Sequence, residues 1–287
     1  MEHVSLAGRI FRGVALTVIL VFFMFPIFWI LLMSFQNNDQ ILRIPPSLFF
    51  EPTLQNYLAL LTGRLETTAG NLDIAFMRNL GNSLLLSTCS VLLSLALGVP
   101  AAYAFARFNF KGQGILLGAF LAVNMFSGAV LLIPLYRLMR AYGVLNTYWA
   151  MIVPGVAFLI PTGIWLLRAY MMRIPRELDE AAWVDGASRF YIFRRVILPL
   201  AMPGIVVVAI STFIGAYAQQ FIFALTFNSK SELMPLAVGL FAFFGKERVV
   251  WNELMAASFM GVLPVMIVFF FLQRYLVAGM TAGAVKS

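Results

Sequence analysis

The sequence predicts an all-α, polytopic membrane protein with six transmembrane helices, and three observations predict it. Hydrophobic side chains make up 62% of the 287 residues and charged ones only 11%, with a mean hydropathy of +0.91, whereas a water-soluble domain carries about 25% charged residues. Six segments reach the length of about 20 apolar residues that a helix needs to cross a hydrocarbon core about 30 Å thick. The carboxylates fall in the tails and in the connections between those segments, where water solvates them. The solvent for most of this chain is therefore a bilayer.

The first expected span, 14–35, follows Arg9 and Arg12 in the manner of a signal peptide. Its apolar core is too long for one and no small-residue cleavage site follows, so it reads as a retained first helix. The second, 84–106, carries Ser83, Ser87, Ser90 and Ser94 at or near its start, a polar stripe with helical spacing that suits helix packing. The third, 115–136, begins beside Gly114 and Gly118, spaced as a close-packing pair, and contains Asn124 and Ser127. The fourth, 148–170, holds Pro154, Pro161, Thr162 and Gly163; a proline within the membrane frees a carbonyl and favours a kink, which suits a helix lining a cavity or gate. The fifth, 201–227, is apolar but contains Ser211, Thr212, Tyr217, Gln219 and Gln220, with Gly215 to admit a neighbouring helix. The sixth is 254–276.

Orientation follows from the basic residues. With the N-terminus in the cytoplasm, twelve of the 20 Lys and Arg lie on the inner side and eight on the outer. Arg137 and Arg140 run against the trend in a short outer connection, so the rule holds as a balance and not loop by loop. Both termini are expected in the cytoplasm. The outer connections are then 36–83, 137–147 and 228–253, and the one long inner connection is 174–200.

Composition also excludes several functions. The net charge of +8 is dispersed among apolar segments and forms no basic domain, which argues against nucleic-acid binding. A single cysteine, Cys89, permits no intrachain disulfide, and with His3 as the one histidine there is no His/Cys metal site to expect. No H-E-x-x-H or G-x-S-x-G pattern occurs, so no catalytic residues are assigned. The nearest imitation of a phosphate-binding loop, "GLFAFFGKE", has five residues between Gly239 and Gly245 and ends in Glu247 where a hydroxyl is needed. Any ATP-derived energy must come from another subunit. Acids paired within the membrane, as proton-coupled transport requires, are not expected either.

The inner connection 174–200 is the charged exception in an apolar chain. Pro175 opens it, Pro199 closes it, and Gly186 separates two helix-compatible pieces. On the first piece Leu178, Ala181, Ala182 and Asp185 share a face, a narrow stripe of mostly small side chains that allows close approach. Short helices lying on the membrane surface would satisfy this pattern, and so would a docking helix for a soluble partner.

The residues "EAAWVDGASRFYIFRRVILP" resemble the signature E-A-A, three residues, G, nine residues, I-x-L-P of the membrane subunits of ATP-binding-cassette (ABC) importers. Glu180, Ala181, Ala182, Gly186, Leu198 and Pro199 match, while Val196 stands where isoleucine is usual. "AAYAFARFNFKGQG" at 101–114 and "IPLYRLMRAYGVLNTYWAMI" at 133–152 are similar to further stretches of that family. The tail 277–287, within "QRYLVAGMTAGAVKS", resembles that of the smaller membrane subunit of maltose-type carbohydrate importers.

The resemblance implies a type I ABC importer permease fold in a bacterial inner membrane, with one permease domain over 1–287. It implies four kinds of partner: a second similar permease, two copies of an ATPase that binds ATP and Mg, a soluble substrate-binding protein, and membrane lipid. By the same analogy Glu180 would meet a basic residue of the ATPase, Ala181 and Ala182 would admit a close surface, and Gly186 would permit the bend. Asp185 and Pro199 complete the expected coupling set. Cargo would be a carbohydrate or polyol, moved by alternating access.

Candidates for the substrate path are Tyr217, Gln219, Gln220, Ser211, Thr212, Asn124, Ser127 and Thr162, whose amides, hydroxyls and ring suit a hydroxyl-rich solute. Bonding between helices is the other use for each of them. Relatives commonly carry W-N-[DE] near span five, whereas this chain has Ala218, Gln219 and Gln220 and so lacks the carboxylate. A non-sugar solute, or a transporter subunit of another class, are the alternative readings.

Overall fold

The computed structural model describes residues 6–45, 49–67, 70–73, 75–126, 128–244 and 249–281. In chain order the helices are α1 (Leu6–Met33), α2 (Asn38–Ile41), α3 (Gln55–Thr62), α4 (Phe76–Arg107), α5 (Gln113–Met125), α6 (Gly128–Ala141), α7 (Tyr148–Met171), α8 (Glu177–Val184), α9 (Arg189–Ile192), α10 (Leu198–Phe227), α11 (Leu236–Gly239) and α12 (Trp251–Thr281). The architecture is all-α and membrane-spanning. Among the described residues the one small sheet is an antiparallel hairpin, β1 (Arg64–Thr67) and β2 (Gly70–Asp73), paired from Arg64 with Asp73 to Thr67 with Gly70. Hydropathy gave no sign of that hairpin, because it lies in the polar connection before α4.

Two compact units organise the chain. The first comprises Met1–Met77 and Gly239–Leu263. Beyond Arg9 and Arg12 its α1 carries no charged residue, and its most apolar stretch is not buried against the described residues, so lipid or a partner must cover it. Polar side chains hold the segments beyond α1. Asn56 of α3 donates through Nδ2 to the carbonyls of Ser34 and Gln36, at 2.7 and 2.9 Å. Asn252 of α12 donates to Asn56 Oδ1 at 2.8 Å, and the backbone N–H of Trp251 donates to Asn38 Oδ1 at 3.0 Å. Buried amides that serve one another in this way reduce the cost of burying polar groups, although Asn252 Oδ1 finds no partner among the described residues.

The second unit comprises Arg78–Val238 and Pro264–Ser287. Its centre is the packing of α7 against α10. Gly163 of α7 faces Val208, and Gly204 and Gly215 of α10 face Tyr170 and Leu159; a Cβ at Gly215 would lie 2.9 Å from Leu159 Cδ2. Small residues let two helix backbones approach, which is how helices associate where lipid offers no hydrophobic gain. One apolar cluster joins Val99, Ala102, Ile164, Leu167, Ile197, Ala201 and Ile205 from α4, α7, the turn before α10, and α10 itself. A second lies further along α7 and α10 around Met151, Val156, Phe223 and Phe227.

The structure departs from the sequence reading in four places. The expected third span, 115–136, is two helices, α5 and α6, whose axes differ by 102°; both pieces are apolar, so composition alone does not reveal the break. Gly114 and Gly118 make no close approach among the described residues, since a Cβ at either would meet nothing within 4 Å there. The final helix begins at Trp251, so Glu253 lies in its first turn and is buried, not in the preceding connection. Pro199 does not end a helix: residues 189–227 run as one helix, with a π turn at Phe193–Ile197 just before it. The wider π turn gives the Pro199 ring room against the carbonyls of the preceding turn, with which it would clash in a regular α-helix.

Candidate functional site

Three acidic residues, Glu177, Asp179 and Glu180, occupy the first turn of α8, where the unsatisfied N–H groups of a helix favour negative charge. The helix stops at Gly186, whose φ of 79° is left-handed. The N–H of Gly186 donates to the Trp183 carbonyl and that of Ala187 to the Ala182 carbonyl, both at 2.9 Å. This pair of bonds is the Schellman termination, and it needs a residue that tolerates positive φ at that position. Ser188 then caps α9, its hydroxyl accepting from the Tyr191 N–H at 3.3 Å. Two helices are thus closed and opened within three residues.

One face of α8 turns inward. Ala182, with Ala187 just beyond the helix, packs against the apolar cluster at the ends of α4, α7 and α10. Asp179, one turn before Ala182, sets its Oδ2 at 2.7 Å from Nε of Arg107, the last residue of α4, with side chains 14% and 6% exposed respectively. The Nε–H is not aimed along that contact, so it is a charge contact without hydrogen-bond geometry. Burial pushes the Asp179 carboxyl above its ordinary range and the neighbouring Glu180 adds to the rise, against the pull of Arg107 and Arg176. The other face is open. Glu180, Ala181 and Asp185 are exposed, as are Leu178, Trp183, Val184, Phe190 and Tyr191, with Val184 at 89%.

The stripe expected from sequence is therefore split: Leu178, Ala181 and Asp185 face out, and Ala182 faces in. Sequence reasoning missed Asp179 and Arg107, which lie 72 positions apart. Arg189 was also missed. Its guanidinium sits over the rings of Phe108 and Trp183, 5.0 and 5.4 Å from their centroids, and links α9 to the residue just past α4.

The candidates on α10 divide in a similar way. Gln220 is buried; its Nε2 donates to Ser87 Oγ at 2.6 Å and to the Ser83 carbonyl at 2.9 Å, joining α10 to α4. Ser83, Ser87, Ser90 and Ser94 are all buried, and Ser83 Oγ accepts from the Leu236 N–H at 2.9 Å. That stripe packs. Thr212 is buried as well, while the exposed Ser211 returns its hydroxyl to the Val207 carbonyl one turn back.

Gln219 differs from Gln220. It shares a face with Thr212 seven residues earlier; both glutamines bury an Oε1 without a hydrogen-bond partner among the described residues, but only Gln220 anchors its Nε2. The Tyr217 ring stacks on Phe213 with centroids 6.1 Å apart. On other helices, Asn124 is exposed and bonds the Phe120 carbonyl of its own helix, and Thr162 is exposed on α7. Ser127 and residues 282–287 of the tail lie outside the described residues, as do Gly245 and Glu247.

Comparison with known proteins gives a consistent result. The family model described as "Binding-protein-dependent transport system inner membrane component" matches residues 94–282. The chain is 34% identical to the inner membrane ABC transporter permease protein YcjP of Escherichia coli, over 94% of each. It is 33% identical to the sulfoquinovosyl glycerol transport system permease protein SmoH of Agrobacterium fabrum, over 98% of this chain and 95% of that one. Identity to the trehalose/maltose transport system permease protein MalG of Thermococcus litoralis is also 33%, over 92% and 91%.

Among solved structures, a chain of a bacterial ABC transporter that imports the acidic polysaccharide alginate superposes with a TM-score of 0.75 at 22% identity, over 96% of this chain and 99% of that one. At that identity the likeness speaks for the fold. With several apolar membrane helices, the family's match across two thirds of the sequence and one-third identity over nearly the whole length, this chain belongs to the family of inner membrane components of binding-protein-dependent transport systems.

Proposed function

We propose that this chain is a permease subunit of an ABC importer that carries a carbohydrate or polyol inward by alternating access, with α8 and α9 as the docking surface for its ATPase. The observation that carries the reading is the open face of this segment. Trp183, Val184, Phe190 and Tyr191 are exposed beside the acidic Glu177 and Glu180, on short helices held by a built turn at Gly186. Exposed aromatics on a rigid, charged frame are what a partner's groove would bury.

In this reading Glu180 meets a basic residue of the ATPase, Ala181 admits a close surface, and Asp185 and Gly186 set the bend. Pro199 lies just past the π turn that leads into α10. Two ATPase copies bind ATP and Mg; this chain holds no ATPase site and acts as a transport component. A second, similar permease completes the pathway, a soluble binding protein delivers cargo from outside, and both termini face the cytoplasm. The carbohydrate class is supported by the relatives, whose names give trehalose/maltose and sulfoquinovosyl glycerol as their cargo. Gln219, whose carboxamide makes no hydrogen bond among the described residues, is the strongest residue for a cargo contact, ahead of Tyr217, Thr212, Ser211, Asn124, Ser127 and Thr162.

The test is ATPase activity of the reconstituted complex with its binding protein over a panel of mono-, di- and oligosaccharides and polyols, for the parent and for Glu180→Ala and Gly186→Pro. Stimulation by one cargo, lost in both variants, is the expected outcome. If the parent assembles without an ATPase, or both variants transport normally, the docking reading fails.

A further inference from the structure

Two of the helices that meet the docking segment are continuous with it. Helix α7 leads into α8 through Pro175, and α9 runs through the π turn into α10. A displacement of α8 reaches them along the backbone. Helix α4 has no such link, because 69 residues separate Arg107 from Glu177 along the chain. Whatever moves α4 with α8 must pass through side chains.

Those side chains converge on the last turn of α4. Arg107 bridges outward to both sides of Pro175: Nε lies 2.7 Å from Asp179 Oδ2, and Nη2 donates to the Ile174 carbonyl at 3.1 Å. In the opposite direction Arg168 donates to the Phe105 carbonyl at 3.2 Å and Arg176 to the Ala106 carbonyl at 3.4 Å. Carbonyls at a helix C-terminus lack partners in their own helix and carry partial negative charge, so arginines suit them doubly. The apolar packing of Ala182 and Ala187 leaves part of this joint unfilled. A cavity of about 110 Å³ remains beside it, lined by Tyr103, Phe108, Trp183 and Ile192 as well as by the charged pair. A contact between two largely buried charges, neither of which returns to water without breaking the pair, then ties α8 to α4.

We infer that Arg107 is a positioning residue whose ion pair with Asp179 makes the end of α4 travel with α8, carrying movement of the docking segment into a helix that no nearby backbone connects to it. The inference rests on the docking reading above and specifies how that segment acts on the pathway. Arg107 itself touches no cargo. Its role is rigidity: α4 and α8 move as one piece while the pair is intact and slip past each other when it is broken, since the adjoining cavity leaves room to do so.

The experiment uses the complete complex, with ATPase and binding protein, in proteoliposomes. Cargo transported per ATP hydrolysed is measured for the parent, Arg107→Glu, Asp179→Arg and the charge-exchanged double variant, alongside ATPase co-purification and thermal stability. Each single variant is expected to keep the ATPase bound and hydrolysing while the transport-to-hydrolysis ratio falls about tenfold, within the usual range for coupling between sites. The double variant is expected to recover most of that ratio, which a merely structural residue would not do.

Unchanged coupling in the single variants, or a double variant no better than either, overturns the inference. A parent that binds no ATPase overturns the docking reading instead. Should the charge reversals fail to assemble, Arg107→Gln and Asp179→Asn, which keep shape and remove charge, decide the matter: loss of coupling supports the pair, and parental coupling refutes it.

Discussion

Gly204 of α10 lies directly against the ring of Tyr170 of α7. A Cβ on Gly204 would sit 2.5 Å from Tyr170 Cγ and 2.8 Å from both Cδ atoms. Turning the ring about Cβ–Cγ leaves Cγ in place, so Tyr170 would have to leave its χ1 rotamer or the two backbones would have to part. Gly204→Ala is expected to destabilise the chain by about 1–3 kcal/mol, the usual cost of overpacking, and Gly204→Val by more. The check is thermal unfolding in detergent, where Gly13→Ala, with nothing within 4 Å of its Cβ, serves as the neutral control.

Gln219 and Gln220 are adjacent but should behave differently. Removing the buried Gln220 carboxamide deletes both bonds that join it to α4 and leaves a void beside Ser83 and Ser87, which keep the bond they make to each other at 2.8 Å. Gln220→Ala should therefore lower stability by about 1–3 kcal/mol. Gln219→Ala should leave stability near the parent's and instead raise the cargo concentration needed for half-maximal transport. Unfolding curves and transport kinetics on both variants separate the two roles, and the reverse pattern would exchange the assignments.

At Gly186 the left-handed backbone sets the ranking of substitutions. Asparagine tolerates positive φ better than other side chains, alanine costs roughly 1–2 kcal/mol there, and a β-branched residue costs more. Coupling of transport to ATP hydrolysis should fall in the order Gly, Asn, Ala, Val. Proline should be worst, since it also removes the N–H that donates to Trp183. An equal effect of all four variants would mean that the turn geometry is not what matters.

Asp179 supplies a pH dependence. Its carboxyl is held above the ordinary range, chiefly by burial, so the folded chain binds that proton more tightly than the unfolded chain does. For such a group, stability relative to a non-titrating variant rises as pH falls through the folded pKa. Unfolding of the parent and of Asp179→Asn, compared from about pH 7 down to about pH 4, should show the parent gaining on the variant toward acid. An ion pair that dominated burial would give the opposite slope. The same protonation removes the charge facing Arg107, so coupling should weaken over the window in which stability is gained.

Much of this molecule was legible in the sequence. The apolar runs and the charged segment between them are local properties, and helices cover those runs, with the third divided and with α4 and α12 starting earlier than expected, at Phe76 and Trp251. The turn at Gly186 was legible too, because a glycine between two helical patterns has a local conformational reason to be there. Glu253 was misplaced because the boundary of a helix depends on where its first N–H groups find partners. Composition sees only where the apolar run begins.

What sequence determined by itself was the solvent, the succession of apolar segments, and the charged segment between them with its spacing. What only the tertiary structure decided was which side chains meet. Helix α10 is apolar on every side, so no hydrophobic face indicates its rotation, and nothing local tells Gln220, bonded to α4, from Gln219, which is not. Arg107 and Asp179 likewise look like ordinary loop charges until folding brings them to 2.7 Å. The reason is physical: a local pattern specifies the periodicity of each helix, whereas contacts between helices depend on rotation, axial shift and close approach, which are settled only when all the helices pack together.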